Sequence, residues 1–168
     1  MLTYDNKGPH EMTRMSRGRE PSEVESIAES TSSACIALRV RQLSRIITRV
    51  YDDALRPHGI TASQFTLLNQ LAQQDAITAV EIGASLDIEK STLSRNLKRL
   101  LALGHIDMDP PAGRRGRGLH LTPKGNAVIK QAFPVWNEAQ NKAVAVMGEA
   151  SRATLDGLLV QAEKLAAA

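Results

Sequence analysis

Apolar residues recur at helical spacing along most of this 168-residue chain. Over residues 33–56 they fall at Ile36, Val40, Leu43, Ile47, Val50 and Ala54. Steps of four and three trace one face of a long helix, which Pro57 and Gly59 then stop. Thr61 suits the N-cap of a helix over residues 62–73, with Phe65, Leu67, Leu68 and Leu71 turned inward. Ile77 and Thr78 fit a very short strand, and Thr78 also caps a helix over 79–86. A turn at Asp87-Ile88 leads to a third helix over 89–103, ended by Gly104. Alternation in HIDMD (105–109) and GLHLT (118–122), on either side of PPAGRRGRG, predicts a β-hairpin. Thr122-Pro123 is a cap followed by a proline at the first helical position.

The two chain ends differ. Residues 1–31 lack apolar periodicity and are rich in Glu, Ser, Arg and Gly, as expected of a mobile polar arm. Beyond Pro123 a stripe continues through Val128, Ala132, Trp136, Ala139, Ala143 and Met147, with Pro134 expected to bend the helix. Gly148 ends it. Ser151 is the expected cap of a last helix carrying Leu155, Leu158, Leu159 and Ala162 inward.

Composition narrows the class. With 42% apolar and only 3% aromatic residues, the chain reads as mainly α. No apolar run approaches the ~18 residues of a membrane span, and MLTYDNKGPHEM offers no apolar core for a secretory signal. Cys35 stands as a single cysteine, which fits a reducing cytoplasm. No metal-ligand spacing, nucleophile elbow, paired-carboxylate motif or Walker loop is present, so no enzyme and no cofactor are expected. His105 and His120 would face each other only if the hairpin were symmetric about its loop, and two histidines make a poor zinc site.

Charge then points to a partner. Residues 1–31 carry −2 of a total net charge of +3, and residues 88–124 carry +5. A local excess of this kind is the footprint of a surface facing phosphates. Helix, helix, turn, helix and hairpin is the order of a winged helix-turn-helix. In its third helix Leu93, Leu97, Leu100 and Leu101 share one face, with Ser91, Arg95 and Lys98 opposite and Thr92 and Arg99 beside them. Leucines hold such a helix to the domain while Arg, Ser and Thr reach bases and phosphates in the major groove of double-stranded DNA.

These residues carry a resemblance to the MarR family of bacterial transcription regulators. Its recognition-helix pattern matches Ser91-Thr92-Leu93-Ser94-Arg95, and its wing-closing pattern matches Leu121-Thr122-Pro123-Lys124-Gly125. The resemblance covers residues 59–125 in motif and about 33–166 in architecture. It implies a DNA-binding domain over 58–122, with Ser91, Thr92, Ser94, Arg95 and Lys98 in the recognition helix and Arg114, Arg115 and Arg117 in the wing. Residues 32–57 and 123–168 would form a helical dimerisation region, so that a homodimer reads a pseudo-palindrome and represses from it. Family wings usually carry an Asp just before their arginine. Here Ala112-Gly113 precede Arg114, which leaves open which of the three arginines enters the minor groove.

The family also implies a small effector, aromatic, anionic or of acyl-CoA type, that releases DNA. Arg41, Arg45 and Arg49 at i, i+4 and i+8, with Arg39 nearby, form a stripe able to hold an anion, and Tyr51 and Trp136 are candidate aromatic walls. The same arginines can instead pair with Asp52 and Asp53 or face solvent. Some relatives sense hydroperoxides through a cysteine early in the first helix, which makes Cys35 a redox candidate. A buried small hydrophobe is the competing reading. The competing function is a winged-helix protein-interaction module, which has no need of the wing arginines together with Ser91, Arg95 and Lys98.

Overall fold

The computed structural model describes residues 21–74, 76–110 and 117–167. Among these, the order is α1 (Glu23–Ala34), α2 (Ile36–Leu55), α3 (Ala62–Gln73), β1 (Ile77–Thr78) and α4 (Ala79–Ser85). Then follow α5 (Lys90–Ala102), β2 (Ile106–Met108), β3 (Gly118–Leu121), α6 (Pro123–Met147) and α7 (Ser151–Ala167). The chain separates into two compact units, divided between Arg41 and Gln42.

In the first unit the expected polar arm is partly helical. Ser22 starts α1 through a capping box: its hydroxyl accepts from the Glu25 amide at 3.3 Å and its amide donates to the Glu25 carboxylate at 2.6 Å. These bonds, the amide's first, hold the Glu25 carboxyl below its ordinary value. The reciprocal cap supplies the helix start that the absence of a long apolar stripe concealed. α1 buries none of its residues. The backbone leaves the helix at Cys35 (φ −69°, ψ 109°), so α2 starts at Ile36 and the long first helix is interrupted where the sequence predicted continuity. Residues 1–20 of the arm lie outside the described residues.

The second unit holds the core. Leu55, Leu67, Leu68, Ile82, Leu100 and Leu119 are fully buried, drawn from α2, α3, α4, α5 and β3. Thr61 and Thr78 each start their helices with capping boxes, to Gln64 and Glu81. The Thr78 hydroxyl and amide keep the Glu81 carboxyl below its ordinary value, so this cap stays charged. α6 runs unbroken through Pro134 and buries Val128, Ala132 and Ala139. α7 buries no residue, and Leu158 and Leu159 stand exposed on it. Ser151 is its first helical residue rather than the residue before it, one position away from the expected cap.

β1 joins the hairpin to make a three-stranded sheet ordered β1-β3-β2, with both pairs antiparallel. Ile106 pairs with Leu121, Asp107 with His120 and Met108 with Leu119. His105 therefore does not face His120. In this register Thr122 stands opposite His105, its amide donating to the His105 carbonyl at 3.1 Å, and Asp109 donates its amide to the Gly118 carbonyl at 2.9 Å. Alternation sends Ile77, Leu119 and Ile106 to the core and Thr78, Gly118, His120 and Asp107 to the outer face.

Candidate nucleic-acid interface

α5 is held by its apolar side. Leu93, Leu97 and Leu100 are buried, while Ser91, Ser94, Arg95, Lys98 and Arg99 are exposed and Thr92 is half-buried. The structure thus places all five predicted recognition-helix residues on one accessible side of the helix. Its N-terminus carries a feature the sequence reading missed. Glu89 is the N-cap, accepting from the Ser91 and Thr92 amides at 2.8 and 3.1 Å and from the Ser91 hydroxyl. The Ser91 hydroxyl, then the two amides, hold the Glu89 carboxyl below its ordinary value. A carboxylate thereby neutralises the orphan amides where an anion would otherwise sit. An acidic residue immediately ahead of a Ser-Thr helix start was the available signal. Arg95 lies back along the helix, donating from Nε to the Ser91 carbonyl and from Nη2 to Thr92 Oγ1, each at 3.3 Å.

The far end of α5 is locked to α6. Thr122 Oγ1 lies 2.8 Å from the Gly104 carbonyl and 3.0 Å from that of His105, and it accepts the Gly125 amide at 3.0 Å. Lys124 Nζ donates to the Leu103 carbonyl at 2.7 Å. A Cβ on Gly125 would fall 2.1 Å from the His105 carbonyl oxygen, so the helix can approach this closely only with glycine there. The Leu-Thr-x-x-Gly pattern is therefore a joint between the recognition helix and α6. His105 sits in this joint, 7% exposed, with Nδ1 lacking a hydrogen-bond partner. Desolvation, with Lys124 adding to it, pushes its imidazole below the ordinary value and keeps it neutral.

Of the wing arginines, Arg117 is exposed immediately before β3, its Nε donating to the Asp109 carbonyl. Arg114 and Arg115 lie outside the described residues.

The candidate effector residues are divided between the two units. Arg39 and Arg41 belong to the first unit and are exposed. Arg45 lines a shallow polar groove of about 390 Å³ with Ser44, Thr48, Arg49 and Asp52. At its end Asp53 pairs with Arg56, and Asp52 accepts the Ala62 amide at 2.7 Å. Tyr51 and Trp136 do come together, in an aromatic cluster with Phe65 and Phe133 whose ring centroids lie 6.0–6.3 Å from Trp136. The Tyr51 hydroxyl donates to Gln140 Oε1 at 2.5 Å, and desolvation raises its pKa. A cleft of about 520 Å³ opens instead beside the recognition helix, among Val80, Leu93, Leu97, Leu101 and Met108, with Lys90 and Lys98 in its lining. Cys35 is half-buried at the break between α1 and α2. No group of three metal-ligating side chains, and no helix long and apolar enough to cross a membrane, occurs among the described residues.

Comparison with known proteins agrees with this geometry. The family model described as MarR family matches residues 58–116. The multiple antibiotic resistance protein MarR of Salmonella typhimurium is 38% identical over 84 residues, 49% of this chain and 58% of that protein. The chain thus spans little more than half the length of the curated relatives of this kind that it matches. The crystal structure of the M. tuberculosis transcriptional regulator MosR in complex with DNA superposes with a TM-score of 0.68 at 30% identity, covering 78% of this chain and 98% of that one. A mutant E. coli MarR complexed with operator DNA gives a TM-score of 0.68 at 25% identity, over 79% and 96%. Winged helix, recognition-helix pattern and relatives converge, and the chain belongs to the MarR family.

Proposed function

We propose that the protein is a transcriptional regulator that binds a pseudo-palindromic operator as a homodimer, represses from it and leaves it on binding a small effector. The observation that carries this reading is α5, in which Leu93, Leu97 and Leu100 are buried while Ser94, Arg95 and Lys98 face outward, with Arg117 standing just before the wing strand β3. MosR and MarR, solved with DNA, share this architecture. Two recognition helices on a two-fold axis read half-sites about one helical turn apart. Support for the second copy comes from apolar side chains left exposed on the terminal helices, among them Ile36, Val40, Leu158, Leu159 and Leu165.

For the effector we favour the cleft between α4, α5 and β2. Its apolar walls and the lysines 90 and 98 suit a small aromatic or acyl group bearing an anionic end. A ligand there bears on the back of the recognition helix. The test is fluorescence anisotropy on operator selected from a random library, followed by titration of aromatic carboxylates and acyl-CoA thioesters. Saturable, sequence-selective binding reversed by one of these classes is the expected result. Affinity equal for all sequences, with steep salt dependence, would identify a generic basic protein and sink the reading.

A further inference from the structure

The outer face of the sheet carries an acid–base group that the recognition motifs do not explain. Asp107 and His120 are register partners, and Asp109 follows Asp107 by two residues on the same face. His120 Nε2 lies 2.9 Å from Asp109 Oδ1. The Asp109 backbone is equally engaged: its amide bonds the Gly118 carbonyl at 2.9 Å, and its carbonyl accepts from Arg117 Nε. Gly118 clears the space, since a Cβ there would stand 2.5 Å from Asp109 Oδ2. One aspartate therefore holds both a wing arginine and a histidine. Among the described residues, the charged groups placed beside His120 by register or contact are Asp107 in β2, Asp109 just after it and Arg117 just before β3. β1 contributes only Thr78, whose hydroxyl is bonded to Glu81, and Lys124 after β3 is turned to the Leu103 carbonyl.

We propose that Asp109 is a positioning residue for the wing, shared between His120 and Arg117 so that protonation of His120 releases Arg117 to DNA phosphates. This rests on the DNA-binding reading above. A protonated His120 makes a charge-assisted bond to the Asp109 carboxylate. The carboxylate is then occupied, and Arg117 keeps its Nε bond to the backbone carbonyl while its Nη groups are left for phosphates. With His120 neutral, the better partner for that carboxylate is the adjacent guanidinium, which bends inward and is lost to the phosphates. Histidine is the side chain whose charge changes in this pH range. The cluster also changes by one unit of charge beside the nucleic acid, in the same direction.

Operator affinity of the full chain, measured between pH 5.5 and 8, should fall with rising pH by about two- to fivefold, the span of a half-exposed ion pair. Asp109→Asn should flatten the profile at the tight level, because no carboxylate remains to retract Arg117. His120→Gln should flatten it at the weak level. If both variants keep the wild-type profile, the proposal is overturned. A second readout needs no DNA: the Arg117 Nε–Hε cross-peak of the free protein should move across this pH range and stay fixed in His120→Gln. A peak fixed in the wild type overturns the coupling. A moving peak in a protein without DNA affinity instead upholds Asp109 as the coupling residue and removes the DNA reading.

Discussion

At the scale of residues, Arg95 carries the sharpest expectation. In the free chain it lies along α5 on the Ser91 carbonyl and Thr92 Oγ1, bonds long enough to be exchanged for a guanine edge at little cost. Arg95→Ala should weaken the operator complex by ~1–3 kcal/mol and relax base preference at one position of each half-site. Arg117→Ala should weaken all sequences alike and reduce the log–log salt slope by ~1 unit. Anisotropy at several salt concentrations on operator and scrambled DNA separates the two, and an Arg95 variant with unchanged selectivity removes that residue from base reading. Ser91 has a narrower part than its type suggests, because its hydroxyl is already committed to Glu89. A serine at the start of a helix looks available in sequence, and its capture by a cap two residues earlier is a matter of conformation.

At the scale of elements, the joint between α5 and α6 decides how the recognition helix is aimed. Thr122 caps α6 and meets the carbonyls at the end of α5, and Gly125 lets backbone approach backbone. Gly125→Ala places a methyl against a carbonyl that cannot move without opening the sheet, a cost of ~1–3 kcal/mol by overpacking. A lowered urea midpoint at unchanged slope is expected, with operator affinity falling by more than the loss of folded protein explains, because α5 is re-aimed. Stability equal to wild type would show that α6 can slide away freely. The Thr-Pro pair was legible as a helix start from the sequence. Its second task was not, since Leu103, Gly104 and His105 are some twenty residues away and only the fold brings them back. The sheet teaches the same: strand alternation located β2 and β3, yet only the fold shows the register, which sets Asp107 rather than His105 opposite His120.

At the scale of the whole molecule, the exposed apolar residues are the outstanding feature. Leu165 is 80% exposed and Ile36 79%, values unusual for side chains of that size at helical spacing. A homodimer in sedimentation equilibrium at micromolar concentration is the expected state. Leu158→Glu with Leu159→Glu should shift it to monomer and abolish cooperative operator binding, while α5 and the wing still bind half-sites weakly. A monomeric wild type would reject dimeric reading of the operator.

Hydrophobic spacing, caps and glycine or proline stops determined by themselves the helices 62–73 and 79–86, the recognition helix and the wing strands, because each depends on neighbours within a few residues. The same local information marked which face of α5 would be polar. It could not reveal α1, whose capping box outweighs a weak apolar pattern, nor the break at Cys35. Tertiary structure alone decided what depends on distant partners: the third strand beside β3, the close contact of Gly125 with His105, the aromatic cluster around Trp136 and the grip of Asp109 on Arg117 and His120. In the sequence the wing of PPAGRRGRG lacked an aspartate before its arginines; in the fold an aspartate is supplied from the base of the wing, because antiparallel pairing folds residue 109 back against 117–120.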